Sequence, residues 1–270
     1  MRSHAAFRAR YGPWALVTGA AQGLGAEFAR QLAARGLRLV LVDCEAAPLA
    51  ERVGELKASH GVELEAVVVD LSGPDFLASL GPLLDDLEIG LLVSSAARSP
   101  IGRFLEQPLP ELDAVLQLNC RAPLVLSHEL GHRMLSRGRG GLILVSSLSG
   151  RRGTPLVAHY AATKAYNQIL GEGLWAELRE QGIDVLALAP GATDTPGFER
   201  SQPERNSLPG RLVQDCPAVV AEALGALGRQ PSLVPGRTNR LASLVLERLL
   251  PRRAAIRLLG DNMRKLYPKR

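Results

Sequence analysis

The sequence predicts an α/β protein, a doubly wound parallel β-sheet of about seven strands flanked by helices, and three observations carry that expectation. Apolar runs and helical patterns alternate from end to end with short connections. The runs lack polar alternation. A glycine-rich turn joins the first run to the first helical pattern. The candidate strands read WALVTG, LRLVLVD, ELEAVVVD, IGLLVSSA, GGLILVSS, DVLALAP and a short SLVP. Such runs belong to strands buried on both faces. Helical patterns fill the intervals at 24–35, 46–59, 75–87, 110–136, 156–180 and 217–228. Repeated strand and helix units of this kind imply right-handed crossovers. After the last strand, residues 237–270 read as two basic amphipathic helices split at Pro251.

A chain of 270 residues with an apolar fraction of 46% suits one domain, with a core over about 12–236 and a basic helical extension over 237–270. Cys44, Cys120 and Cys216 have no metal-ligand spacing, which speaks against a zinc site or a disulfide framework and for a reducing, cytoplasmic compartment. The opening MRSHAAFRARYGPW is basic but lacks the apolar core of a signal peptide, and no run of about 18 apolar residues occurs. The net charge of +5 is uneven: from Arg237 onward ten Lys or Arg face only Glu247 and Asp261, a net of +8 that leaves about −3 for the rest. Basicity confined to the tail excludes a nucleic-acid groove across the domain. The long connection at 192–215, with three prolines, reads as a substrate lid.

The turn TGAAQGLG carries glycines at 19, 23 and 25 between a strand and a helix. Glycine permits positive φ and close backbone approach, and a helix N-terminus offers unpaired N–H groups to a pyrophosphate. Eighteen residues after Gly25, at the end of the second strand, Asp43 can accept both ribose hydroxyls of an adenosine and would repel a 2′-phosphate. NAD(H) is therefore favoured, with NADP(H) the alternative. Asp70 ends the third strand and is placed by the same geometry over the adenine. Tyr160 and Lys164, four apart in a helical pattern, share one face, and an ammonium beside a phenol favours the phenolate. Ser147 ends the fifth strand at the same sheet edge as the glycine turn, where open α/β sheets bind ligands.

These residues resemble the short-chain dehydrogenase/reductase superfamily, in its single-domain branch with a Rossmann-type fold. TGAAQGLG matches the T-G-x-x-x-G-x-G turn at Thr18, Gly19, Gly23 and Gly25, and Ser147 stands 13 residues before the Y-x-x-x-K pair of Tyr160 and Lys164. Asn119 in LQLNCRAP completes the catalytic tetrad, and APGATDTP matches P-G-x-x-x-T at Pro190, Gly191 and Thr195. The resemblance implies that Tyr160 exchanges the proton of a secondary alcohol or ketone while hydride passes to or from the nicotinamide. Ser147 would polarise the same oxygen, Lys164 would lower the Tyr160 pKa and hold the nicotinamide ribose, and Asn119 would hold a relay water. It further implies cofactor contacts at Gln22, Leu24, Leu71, Ser95, Ala96 and Thr193.

One motif departs: SSAA, Ser94 to Ala97, stands where the superfamily has N-N-A-G, placing a methyl at the cofactor wall. A dinucleotide-binding sensor or scaffold is therefore the alternative to a hydrophobic-substrate oxidoreductase, although it needs none of the four tetrad residues. The resemblance also implies pairing through the helices at 110–136 and 156–180 into a homodimer or homotetramer. The basic C-terminal helices either contact an anionic membrane surface weakly or dock on their own domain.

Overall fold

The apolar runs pair into one parallel sheet because no single helix could bury them on two faces. In the computed structural model, which describes residues 3–207 and 212–268, the strands are β1 (Trp14–Thr18), β2 (Arg38–Asp43), β3 (Leu64–Val68), β4 (Ile89–Ser94), β5 (Gly140–Val145), β6 (Ile183–Leu188) and β7 (Ser232–Leu233). Their order is β3-β2-β1-β4-β5-β6-β7. Residues 208–211 of the expected lid, and Lys269 and Arg270 of the basic tail, lie outside the described residues. The chain runs outward from β1 in one direction to β3 and then crosses back to β4, so the crossovers diverge between β1 and β4 and open a crevice at their carboxyl ends.

Every residue of β1, β4, β5 and β6 is buried, as the unbroken apolar runs imply. β3 departs from that expectation. It is an edge strand paired only with β2, and Val68 is 54% exposed. Glu63 just before it and Glu65 within it mark the difference in the sequence. Two apolar layers cover the sheet. One forms around Phe28, Leu32, Leu49, Val219 and Val220, and the other around Leu80, Leu126, Leu130 and Met134.

The helices are α1 (His4–Tyr11), α2 (Gly23–Ala33), α3 (Ala46–His60), α4 (Phe76–Asp86), α5 (Leu109–Leu116), α6 (Ala122–Arg137), α7 (Ala158–Leu178), α8 (Pro196–Arg200), α9 (Cys216–Ala226), α10 (Arg237–Leu244) and α11 (Arg252–Leu266). The pattern at 110–136 is divided by a wide turn, Gln117–Arg121, where the Ala122 N–H donates to the Gln117 carbonyl. Pro123 explains the widening. It has no N–H to give the Asn119 carbonyl, and its ring would crowd that oxygen in a regular helix. The freed Asn119 carbonyl accepts instead from Asn167 on α7 at 2.9 Å.

Helix α1 was not evident in the basic N-terminal sequence; it docks by burying Phe7 and Tyr11 in the core and by contacts to one buried carboxylate. Asp184 at the start of β6 accepts from Arg10 Nε and Nη2 at 3.1 and 3.2 Å and from the Tyr11 hydroxyl at 2.7 Å. Replacing Asp184 by Ala leaves a buried phenol and a half-buried guanidinium without this acceptor. Urea denaturation of Asp184→Ala should show a loss of about 2–4 kcal/mol, against less than about 1 kcal/mol for the exposed Glu63→Ala.

Candidate active site

The crevice between the carboxyl ends of β1, β2 and β4 is an open cavity of about 460 Å³. Gly19, Gln22, Gly23, Leu24, Gly25, Asp43, Asp70 and Leu71 line one part of it, and Ser95, Ala96 and Thr195 another. Two glycines are there because nothing larger fits. Gly19 has φ +67°, and a Cβ on it would lie 2.9 Å from the Ala96 Cα; a Cβ on Gly25 would collide with the Gly19 carbonyl. Gln22, the N-cap of α2, makes no side-chain cap, and the first turn carries no acidic residue. The leading N–H groups of α2 are thus left to face the cavity, a cradle that fits a dinucleotide pyrophosphate.

Thr18 lies behind this wall and holds it together. Its hydroxyl accepts from the N–H groups of Ser95 and Ala96 at 3.0 and 3.1 Å, binding the end of β1 to the segment after β4. In the SSAA segment, Ser94 ends β4 and is buried, while Ala97 is exposed on the cavity wall. Asp43 takes the Ala21 N–H on one oxygen at 3.0 Å and the Glu45 N–H on the other at 3.1 Å, so it orders the turn as well as facing the cavity. Three residues with no sequence signal share the cavity. Glu45 accepts from Gln22, Arg200 donates to Gln22 at 2.8 Å, and Arg98 pairs with Asp70 at 3.5 Å.

Tyr160 and Lys164 sit one turn apart on α7, and Ser147 starts the turn that follows β5. Burial raises the Tyr160 phenol, a hydrogen bond with Ser147 pulls it back, and the nearby Tyr267 phenol raises it further. Lys164 is 3% exposed and donates from Nζ to the Val145 carbonyl at 2.8 Å, with Nζ 5.7 Å from the centre of the Tyr160 ring. Burial lowers its pKa to about 8. Asn119, fully buried in the wide turn, accepts from the Arg98 N–H and donates to the Arg98 carbonyl, both at 2.9 Å, and donates to Thr163 at 3.0 Å. Thr163 in turn donates to the Tyr160 carbonyl at 2.8 Å, so Asn119 and the α7 backbone form one rigid unit.

Tyr160, Lys164, Pro190, Gly191 and Thr193 stand beyond the cavity rather than in its lining. The Pro190 carbonyl accepts from Leu148 at 2.9 Å, Gly191 packs under Asn239, and the Thr193 hydroxyl donates to the Gly191 carbonyl at 3.1 Å. Thr195 caps α8 by accepting from Phe198, and its side chain lies against Gly23. The expected lid is therefore tied at one end to the glycine turn. In its middle it is tied to the tail, where the Glu204 N–H donates to the Leu266 carbonyl at 2.8 Å and Ser201 bonds the Tyr267 hydroxyl at 2.9 Å. The basic tail thus docks on its own domain, over the catalytic side of the sheet.

A family model described as short chain dehydrogenase matches residues 13–206, which includes the glycine turn, Ser147, Tyr160 and Lys164. The chain belongs to the short-chain dehydrogenase family. Among its relatives within that family, a 7beta-hydroxysteroid dehydrogenase of Clostridium sardiniense is 29% identical over 87% of this chain and 89% of its own length. A very-long-chain 3-oxoacyl-CoA reductase of Pyricularia oryzae is 37% identical over 64% of this chain, which spans about half, 54%, of that relative. A solved 7beta-hydroxysteroid dehydrogenase superposes with a TM-score of 0.88 at 26% identity, covering 94% of this chain and 98% of its own. A short-chain dehydrogenase from Sphingobium yanoikuyae in complex with NADPH superposes with a TM-score of 0.77 at 30% identity, covering 86% of this chain and 92% of its own.

The buried Lys164 has a measurable cost. Its pKa of about 8 in the folded chain lies below the ordinary value of 10.5, so below pH 8 both folded and unfolded chains carry the charge and the folded chain bears the full burial penalty. Between pH 8 and about 10.5 only the unfolded chain keeps the proton, and stability rises with pH across that window. Lys164→Met, which removes the charge and also the bond to Val145, should be more stable than the parent by about 1–3 kcal/mol at pH 7. The difference should shrink above pH 8. Urea denaturation at pH 7 and pH 9.5 reads both.

Proposed function

We propose that this chain is an NAD(P)(H)-dependent oxidoreductase that interconverts a secondary alcohol and a ketone of a hydrophobic small molecule. The observation that carries this reading is the convergence of Ser147, Tyr160 and Lys164 beside a cavity whose glycine wall and uncapped helix fit a dinucleotide. A nicotinamide held there would supply or accept the hydride. The glycine turn and α2 hold the pyrophosphate, and Asp43, Asp70 and Leu71 take the adenosine end. Thr195 and the backbone after Pro190 orient the nicotinamide end.

For reduction, Ser147 donates a hydrogen bond to the carbonyl oxygen and Tyr160 delivers the proton to it. Burial keeps the Tyr160 phenol loaded with its proton through neutral pH, which suits reduction; oxidation needs the phenolate and speeds up as pH rises. Lys164 holds the ribose and steadies the phenolate while charged, below a pH of about 8. Asn119, locked to Arg98 and Thr163, keeps α7 at its spacing from the wide turn and holds a relay water. The apolar relatives' substrates named in hydroxysteroid dehydrogenase and very-long-chain 3-oxoacyl-CoA reductase support a hydrophobic substrate here. Exposed Leu109, Leu116, Leu124 and Ile169 on α5 to α7 support pairing into a homodimer or homotetramer, and exposed Leu241 and Leu249 among arginines support weak contact of the tail with an anionic surface.

Tyr160→Phe should abolish turnover of any ketone the parent reduces, by about a thousandfold or more, while leaving NADH fluorescence titration unchanged. Retained turnover removes Tyr160 from proton transfer. The carboxylates of Asp43 and Glu45 at the adenosine end favour NADH over NADPH, and Asp43→Ala should narrow or reverse that preference in the same titration. Tighter NADPH binding by the parent would contradict the Asp43 assignment.

A further inference from the structure

A second cavity, of about 140 Å³, lies between the turn that follows Ser147 and the C-terminal helices α10 and α11. One wall is the Leu148 to Thr154 segment, and the other is built by Leu246, Leu259, Met263 and Leu266, so its surface is mostly aliphatic. Its lining residues touch or neighbour the groups around the catalytic hydroxyls. Ser149 in its wall donates its N–H to the Ser147 hydroxyl at 3.2 Å, and Leu266 precedes the Tyr267 whose phenol raises that of Tyr160.

Two guanidinium groups in this aliphatic wall are not fully used. Arg151 pairs with Glu247 at 3.1 Å. Arg152 reaches only carbonyl oxygens, those of Arg151 at 2.9 Å and Glu247 at 2.7 Å, and no carboxylate among the described residues pairs with it. The Glu247 carboxylate is already occupied by Arg151 and by the Ser243 hydroxyl. The Nε atoms of Arg151 and Arg152 are both buried without an acceptor. Two cations against one anion leave one positive charge, half-buried, with donors unsatisfied. A buried guanidinium in an apolar wall is costly unless an anion completes it.

We infer that this cavity is the receptor for an anionic terminus, such as a carboxylate, at the far end of an apolar substrate, with Arg152 as its charge partner. The inference deepens the proposed function and rests on it for the word substrate. The cavity is smaller than a whole-ligand pocket, so it takes an end group and leaves the reacting carbon at Ser147 and Tyr160. The aliphatic wall accepts the methylene groups next to the charge, and a neutral terminus would leave the Arg152 charge without a counter-ion.

Binding can be read without knowing the substrate. Hexanoate, decanoate and adamantane carboxylate, each beside its corresponding primary alcohol, are titrated calorimetrically into the full chain saturated with NADH. At least one acid should bind about tenfold or more tightly than its alcohol. Arg152→Gln should erase that difference while staying folded by circular dichroism and keeping the parent's NADH affinity, and Arg152→Lys should restore part of it. Equal binding of every acid and its alcohol, or an acid preference that survives in Arg152→Gln, overturns the inference. A chain that prefers acids through Arg152 but reduces no ketone leaves the anion receptor standing and removes the proposed function instead.

Discussion

The Thr18 hydroxyl, accepting two backbone N–H groups from the segment after β4, is the contact on which the arrangement of the cavity depends. It sits where the crossovers of the sheet diverge, the one place where strand order leaves a gap between neighbouring loops. Gly19 has to approach Ala96 at van der Waals distance for that bond to form, and Gly25 has to pass the Gly19 carbonyl for α2 to begin there. The turn chemistry, the open cavity and the free N–H groups of α2 are consequences of a single closure. The contacts to Thr18 on this side are made by the backbone N–H groups of Ser95 and Ala96 and not by side chains, so they do not depend on which side chains stand there.

A second constraint acts on the other side of the crevice. Pro123 cannot complete a regular helix, and the wide turn that results both frees the Asn119 carbonyl for Asn167 and aims the Asn119 amide at Arg98 and Thr163. Helix α7 is thereby clamped to the wide turn, and Ser146 clamps it to β5 through the Lys164 carbonyl at 2.7 Å. This frame keeps Lys164 away from water, which disfavours its charge, and the Val145 carbonyl offsets part of that cost. Stability is given up at the residue that the proposed chemistry needs most, as is common at sites that hold a shifted pKa.

The fold and the glycine turn were legible in the sequence because period and spacing encode them directly. Unbroken apolar runs place β1, β4, β5 and β6 in the sheet interior, and T-G-x-x-x-G-x-G requires two positions where a Cβ would collide. Other features were hidden because they depend on contacts far apart in the chain. Helix α1 is docked by Asp184, 173 residues after Tyr11. Thr163 enters the site through Asn119, Arg98 is brought to Asn119 and Asp70 by contacts distant in sequence, and Tyr267 reaches Tyr160 because the chain after α11 returns to the lid. The edge position of β3 was written in Glu63 and Glu65 but outweighed by the valines that follow. The wide turn at Gln117–Arg121 was signalled by Pro123, inside a pattern whose periodicity continues on both sides.

The central claim is that hydride passes between a dinucleotide in the first cavity and a carbon held at Tyr160. Incubating the full chain with NADH deuterated at both C4 positions and a ketone that it reduces, followed by mass spectrometry and proton NMR of the alcohol, tests this most directly. The account predicts one deuterium, bonded to the new carbinol carbon, with the hydroxyl proton drawn from solvent. An alcohol carrying no deuterium at that carbon would contradict it.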